Sequence, residues 1–330
     1  MNILCVRIGR MGDMLMVLPA LQVLQARYPN AVIDLLTSKD GRRVIPCADL
    51  NIGDIHVYDH CFAFRFIENK KVKKFIRNKD YDAIYVFEIK SRYRDWFASH
   101  PCQNIHLTQN NKMHASEAYL DSLGLTNQEI DYWRIKKIIE PPQSYALQIK
   151  EELQKYHIND RTYLVAIHPS YSGLGKNKKD QSHKLWPVAY WAKLVKLLQD
   201  EASFLGKDIR VVCDLLPSEK NIAEAIRQAC GDDILILQNP PNFKRYIALI
   251  DRVNCLVAPN TGSMHLAAAL NTPVIGLFSG LGPESCGPFA SEDLAAILQA
   301  ENYPQGEGLA RIQPDMIIKN IMKWIGQKAD

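Results

Sequence analysis

The sequence predicts an α/β protein of two successive Rossmann-like domains facing a central cleft. Three observations carry this. Short β-prone apolar runs alternate with helical-period segments along most of the chain. The chain opens on a strand–turn–helix–strand unit, Asn2 to Leu36, which implies parallel pairing. Pro141-Pro142 then breaks the alternation, and 330 residues suit two domains. A linker is expected between about Glu140 and Arg161. The domains are expected at 1–155 and 156–330, with the last helix free to pack back on the first.

In the first half, Asn2 to Ile8 reads as a strand. Gly9 to Asp13 reads as a turn, Met14 to Tyr28 as a helix stopped by Pro29-Asn30, and Ala31 to Leu36 as the next strand. Further strands are expected at Ile55–Tyr58, Ala83–Phe87 and Asn104–Leu107, with helices at Glu68–Asn78 and Ser91–Ala98. A helix over Ala115–Leu123 ends at Gly124, a common C-terminal stop. A polar helix from Ser144 to Tyr156 follows the prolines.

In the second half, strands are expected at Tyr163–Ile167, Ile209–Cys213, Ile234–Leu237, Cys255–Ala258 and Val274–Phe278. Helices are expected at Val188–Glu201, Glu219–Ala229, Lys244–Ile250, Gly262–Leu270 and Pro314–Gln327.

Composition narrows the function classes. No apolar run approaches the ~20 residues of a membrane helix, and the first residues lack a signal-peptide pattern, so a cytosolic chain is expected. None of the eight cysteines lies at zinc-ligand spacing, and Cys5, Cys213 and Cys255 read as buried thiols. The +4 net charge is uneven: residues 65–94 hold ten bases and four acids. Such a run is most often a solvated face. Its functional reading is an anionic partner; no recognition motif supports nucleic acid.

The most informative stretch is 257–289. A strand stops at Pro259, the cap cluster Asn260-Thr261-Gly262-Ser263 follows, and a small-residue helix begins. The first turn of such a helix has free N–H groups and the positive dipole end, which suits a phosphate. An ordinary capped helix explains the spacing about equally well. His265 in that first turn is most simply structural.

Gly9-Arg10-Met11-Gly12-Asp13 is neither a GxGxxG fingerprint nor a P-loop, which argues against a Rossmann oxidoreductase. Asp13 reads locally as a first-turn acid, and functionally as a carboxylate able to accept a proton. Ser170 and Tyr171, after the 163–167 strand, offer a hydroxyl and an amide to phosphate oxygens. Lys184, closing the basic loop 173–184, offers an ammonium to a diphosphate. Glu219, at a helix start, could accept ribose hydroxyls. Asp80-Tyr81-Asp82 matches a DxD metal pattern, but it sits at a strand entry and no metal is assigned to it.

Taken together, these pieces resemble glycosyltransferase family 9, the heptosyltransferases of lipopolysaccharide core assembly. The resemblance rests on Arg7-x-Gly9-x-x-Gly12-Asp13, His168 to Tyr171, Lys184-x-Trp186-Pro187, Asn260 to Pro273 and Gly287-Pro288-Phe289. His114-x-x-Glu117-x-Tyr119-Leu120 is similar as well. The resemblance implies a GT-B architecture, an N-terminal acceptor domain and a C-terminal nucleotide-sugar domain. It implies metal-independent, inverting transfer from a donor such as ADP-heptose, with no cofactor. Asp13 would be the general base. Lys184, Ser170, Tyr171 and the amides of Thr261, Gly262 and Ser263 would hold the diphosphate, with Glu219 on the ribose and Asn260 and His265 beside the donor. The basic segment would meet an anionic inner-core acceptor, which places the enzyme peripherally on the inner face of the cytoplasmic membrane. The family's motif usually has Asp where this chain has Asn260. That keeps open another heptose, a hexose or a HexNAc donor on a surface glycan, and an inactive nucleotide-sugar binding protein.

Overall fold

The computed structural model describes residues 1–58, 65–109, 112–170, 185–280 and 282–327. The chain divides into two units, Met1–Ile139 and Glu140–Asp330.

The first unit is a parallel sheet flanked by helices. Its elements are β1 (Asn2–Arg7), α1 (Met11–Arg27), β2 (Val32–Thr37), α2 (Lys39–Val44), β3 (Ile52–Val57), α3 (Arg65–Arg77), β4 (Ala83–Val86), α4 (Ser91–Arg94), β5 (Ile105–Leu107), α5 (Ala115–Asp121) and α6 (Asn127–Ile135). Strand order is β3-β2-β1-β4-β5, and the pairings are parallel. Central β1 and β4 are buried on both faces, as covered parallel strands must be. The expected 91–98 helix stops at Arg94: the chain turns there, which puts Trp96 and Phe97 into the core with Tyr58 and Tyr93. Gly124 lies at φ 77° after α5, the left-handed stop expected of it.

The second unit holds α7 (Gln143–Gln154), β6 (Tyr163–Ile167), α8 (Val188–Leu205), β7 (Ile209–Leu215), α9 (Lys220–Cys230), β8 (Ile234–Gln238) and α10 (Phe243–Arg252). It continues with β9 (Cys255–Pro259), α11 (Gly262–Ala269), β10 (Val274–Phe278), α12 (Pro283–Cys286), β11 (Ala295–Gln299) and α13 (Pro314–Gln327). Strand order is β11-β10-β9-β6-β7-β8, again parallel. Edge strand β11 has no counterpart in the sequence reading. Ile317, Ile321 and Trp324 of α13 enter this unit's core beside Trp191 and Leu194 of α8. The helix thus spends its apolar face on its own unit.

The contact boundary falls at Ile139/Glu140, ahead of the expected 155/156. The reason is α7, which packs on α10 through Glu152 and Arg245 (Nη2–Oε2 2.9 Å). No helix among the described residues is long and apolar enough to cross a membrane.

Candidate functional site

In an open parallel sheet, ligands bind beyond the carboxyl ends of the strands where strand order reverses. Each unit has one such switch point. In the first it lies between β1 and β4; in the second it lies between β6 and β9.

At the first switch point the chain leaves β1 through Gly9 and enters α1. Asp13 sits in the first turn of α1, its Oδ2 accepting from the Arg10 amide at 2.8 Å. A side chain at Gly9 would overlap that of Asp13, so only glycine permits this close approach. The Asp13 Oδ1 pairs with Arg7. Arg7, at the end of β1, also pairs with Glu88 at 3.0 Å and lies over the Tyr119 ring, 5.6 Å from its centroid. Glu88 follows β4 and is buried, and it also accepts from the Ile8 amide. Burial pushes its carboxyl above the usual range, although the Arg7 charge and the Ile8 amide pull against this. One guanidinium therefore holds two carboxylates, and Asp13 is the more exposed: its side chain is 34% accessible against 4% for Glu88.

The basic residues of this unit divide, and Lys79, ahead of β4, lies at the amino edge of the sheet, away from the switch point. Lys79 is tied to Asp34 and Asp54, at 2.8 Å each. Arg94 donates to the carbonyls of Glu88 and Thr108. Lys90 and Arg92 are exposed just beyond β4, Arg92 donating to Tyr93 Oη at 2.6 Å. His114 Nδ1 accepts from the Ser116 amide at 3.2 Å and caps α5, and Glu117 pairs with Arg134 of α6. That motif is structural in its described contacts. Asp82 of the DxD triplet accepts from the Asn2 amide at 2.7 Å, and Tyr81 donates to buried Asp34 at 2.9 Å. Among the described residues no three His, Cys, Asp or Glu side chains cluster as metal ligands would.

At the second switch point the segments after β6 and β9 lie side by side. Ser170, buried, donates from Oγ to Glu219 Oε1, and Glu219 Oε2 accepts from the Leu216 amide at 2.8 Å. Thr261 is the N-cap of α11, yet its side chain makes no capping bond. Its Oγ1 is buried with no hydrogen-bond partner among the described residues. A buried hydroxyl without a partner is costly unless a ligand or water completes it. Ser263 and His265 are buried in the first turn of α11. Ser263 Oγ accepts from Tyr246 at 2.9 Å, which leaves the serine's own proton for another acceptor. Gly276 of β10 lets α11 pack close: a Cβ there would stand 2.9 Å from Met264 Sδ.

Behind these residues lies a largely half-buried polar layer, of which the sequence reading named only His168. Tyr246 Oη is 3.4 Å from His168 Nδ1. Burial lowers His168 to about 4, only partly offset by the charge of Glu219, so the ring is neutral at pH 7. The residue before Tyr246, Arg245, bridges Glu152 and Asp214 at 2.9 Å each. Burial raises the Asp214 carboxyl to about 6 against the pull of Arg245. Asn260 donates from Nδ2 to Cys286 Sγ at 3.4 Å, and the thiol in turn lies 3.8 Å from the Gly282 carbonyl.

The second switch point thus gathers Ser170, Glu219, Asn260, Thr261, Gly262, Ser263 and His265, while Asp13 stands at the first. Tyr171 and Lys184 lie outside the described residues, as does the basic loop 173–184.

Comparison with known proteins decides the family: the model of "Glycosyltransferase family 9 (heptosyltransferase)" matches residues 125–314, more than half of the chain. The chain belongs to glycosyltransferase family 9. This family 9 chain is 24% identical to lipopolysaccharide heptosyltransferase 2 of Escherichia coli over 310 residues, covering 88% of this chain and 86% of that protein. It is 25% identical to E. coli lipopolysaccharide heptosyltransferase 3, over 81% of this chain and 79% of that one. Among solved structures, a family 9 glycosyltransferase from Veillonella parvula superposes with a TM-score of 0.77 at 16% identity, covering 99% and 97% of the two chains. E. coli ADP-heptose heptosyltransferase II gives 0.73 at 18% identity, with full coverage of both chains. These likenesses establish the GT-B fold, two Rossmann-like units in succession.

Proposed function

We propose that this family 9 glycosyltransferase moves a heptose, with ADP-heptose the first candidate donor, onto an anionic lipopolysaccharide inner-core acceptor with inversion. The observation that carries the reading is the uncapped start of α11, with Thr261 Oγ1 buried and unpartnered at the β6/β9 switch point. Backbone N–H groups and the helix dipole there favour a diphosphate. Glu219, already oriented by Ser170, would take the ribose hydroxyls. Lys184 and Tyr171 would add an ammonium and an amide to the phosphates, and His265 would line the donor. The first unit would take the acceptor, with Lys90 and Arg92 facing its anionic groups and Asp13 facing the nucleophilic hydroxyl.

In the reaction the acceptor oxygen bonds to the anomeric carbon as the carbon–oxygen bond to the diphosphate breaks. Asp13 receives the hydroxyl proton, and the nucleoside diphosphate leaves with the electron pair. Negative charge grows on the leaving oxygens, where N–H donors and Lys184 lower the barrier. Arg7 holds the Asp13 carboxylate, and Glu88 holds Arg7. The chemistry takes place at the inner face of the cytoplasmic membrane, where the enzyme is peripheral.

A second reading, a donor other than ADP-heptose, is favoured by Asn260. With Nδ2 given to Cys286, its amide offers Oδ1 as an uncharged acceptor where the usual Asp offers a charged one. Thermal shift with nucleotides separates the two readings, because a ligand that binds only the folded state raises Tm. Stabilisation by ADP and ADP-heptose supports the first. Selective stabilisation by UDP, GDP or CDP sugars supports the second, and an Asp13→Asn enzyme with undiminished turnover removes Asp13 as the base.

A further inference from the structure

The basic excess of the first unit is concentrated on α3, whose sequence is RFIENKKVKKFIR. Its inward side carries Glu68, Val72 and Ile76, all buried. Its outward side carries Phe66, Ile67, Lys70, Lys71, Lys73, Lys74 and Arg77, all exposed. At 3.6 residues per turn these seven occupy an arc of roughly 160°. Lys71 pairs with Glu68, while Lys73, Lys74 and Arg77 have no ion pair among the described residues. Lys70 lies over the Phe66 ring at 4.4 Å.

A solvated basic face explains the lysines but not their neighbours. Phe66 is 70% exposed and Ile67 49%. Two large apolar groups held in water beside five cations match an interfacial helix, whose apolar groups enter the acyl boundary while lysine stems snorkel toward headgroups. Nucleic acid would satisfy the cations but offers Ile67 neither stacking nor hydrogen bonds. We therefore infer that the outward face of α3 docks the protein on an anionic lipid bilayer, with Phe66 and Ile67 inserted and Lys70, Lys73, Lys74 and Arg77 on the headgroups. This deepens the proposed function, since it rests on an acceptor presented at a membrane. It assigns α3 to docking and leaves the acceptor's own anions to Lys90 and Arg92.

The test is sedimentation of the full chain with phosphatidylcholine vesicles, with and without phosphatidylglycerol. Binding is expected only with phosphatidylglycerol and should weaken with salt. Each cation removed should lower partitioning roughly fivefold, so K70E/K74E should abolish it. Phe66→Ser should lower it about tenfold or more, because burying such a ring is worth that much. All three positions are exposed, and an unchanged thermal transition would verify folding. Equal binding to both vesicle types overturns the inference. So does a Phe66→Ser protein that binds vesicles as well as the parent, or binding that a single-stranded oligonucleotide competes away while Phe66→Ser changes nothing. Turnover on a detergent-dispersed acceptor separates this inference from the reading beneath it. Unchanged turnover in K70E/K74E fits docking, and reduced turnover means that α3 contacts acceptor and refutes it. Vesicle binding by a parent protein that turns over no donor would sink the transferase reading and leave the docking face standing.

Discussion

His168 and Asp214 should set opposing pH dependences on the second unit. Burial holds His168 at about 4 against an ordinary 6.5, and raises Asp214 to about 6 from 3.8. Between pH 6.5 and 4 the unfolded chain takes up a proton that folded His168 refuses, so His168 favours the fold above 6.5 and loses this as pH falls. Between pH 6 and 3.8 folded Asp214 holds a proton that the unfolded chain has released. Its contribution is therefore full at low pH and lost as pH rises through 6. By pH 4.5 each effect reaches about 2–3 kcal/mol, with opposite sign. The two oppose each other in the parent, and removing either should expose the other. On acidification from pH 7.5 to 4.5, Asp214→Asn should lose about 2–3 kcal/mol more than the parent, or roughly 5–10 °C in a unit of this size. His168→Gln should shift in the reverse direction. Scanning calorimetry of the full chain across pH measures both, and curves parallel to the parent's for both variants would refute the reasoning.

Gly9→Ala should displace Asp13 and cut kcat by about a hundredfold while ADP binding, read by calorimetric titration, is unchanged. An unaffected kcat would mean that the tight Gly9–Asp13 approach does not matter. Glu219→Gln keeps an acceptor for the Leu216 amide but removes the charge offered to ribose, so ADP affinity should fall about tenfold. Arg245→Leu strands Asp214 in a half-dry site and should destabilise the chain by about 3–5 kcal/mol in denaturant unfolding. Adding Asp214→Leu should recover most of that loss, and a double variant no more stable than the single one would contradict the pairing argument.

Much of the candidate site was legible because its parts are contiguous. The cap cluster 260–263 and the Gly9–Asp13 turn announce a strand end, a turn and a helix start within a few residues. Groups that meet only in the folded chain left no such signal. Arg7 and Glu88 are 81 residues apart, and Glu152 and Arg245 are 93 apart. Parallel topology makes Glu88 intelligible afterwards, since the residue after β4 must lie beside the turn after β1. Strand β11 was missed because Ala295-Ala296-Ile297-Leu298 favours a helix, and pairing with β10 overrides that preference. Helix α7 read as linker because it buries only Ile149 and Leu153; charge docks it where a broad apolar stripe would have been visible.

That docking bears on how the second unit could be isolated. A fragment starting at residue 156 would look tidy in the sequence, yet it would sever Glu152 from Arg245 and uncover the Arg245 side of α10. Arg245 is the neighbour of Tyr246, which holds Ser263 at the α11 start, so a weak nucleotide response from such a fragment could report the cut and not the enzyme. Starting at Glu140 keeps the ion pair and the helix together.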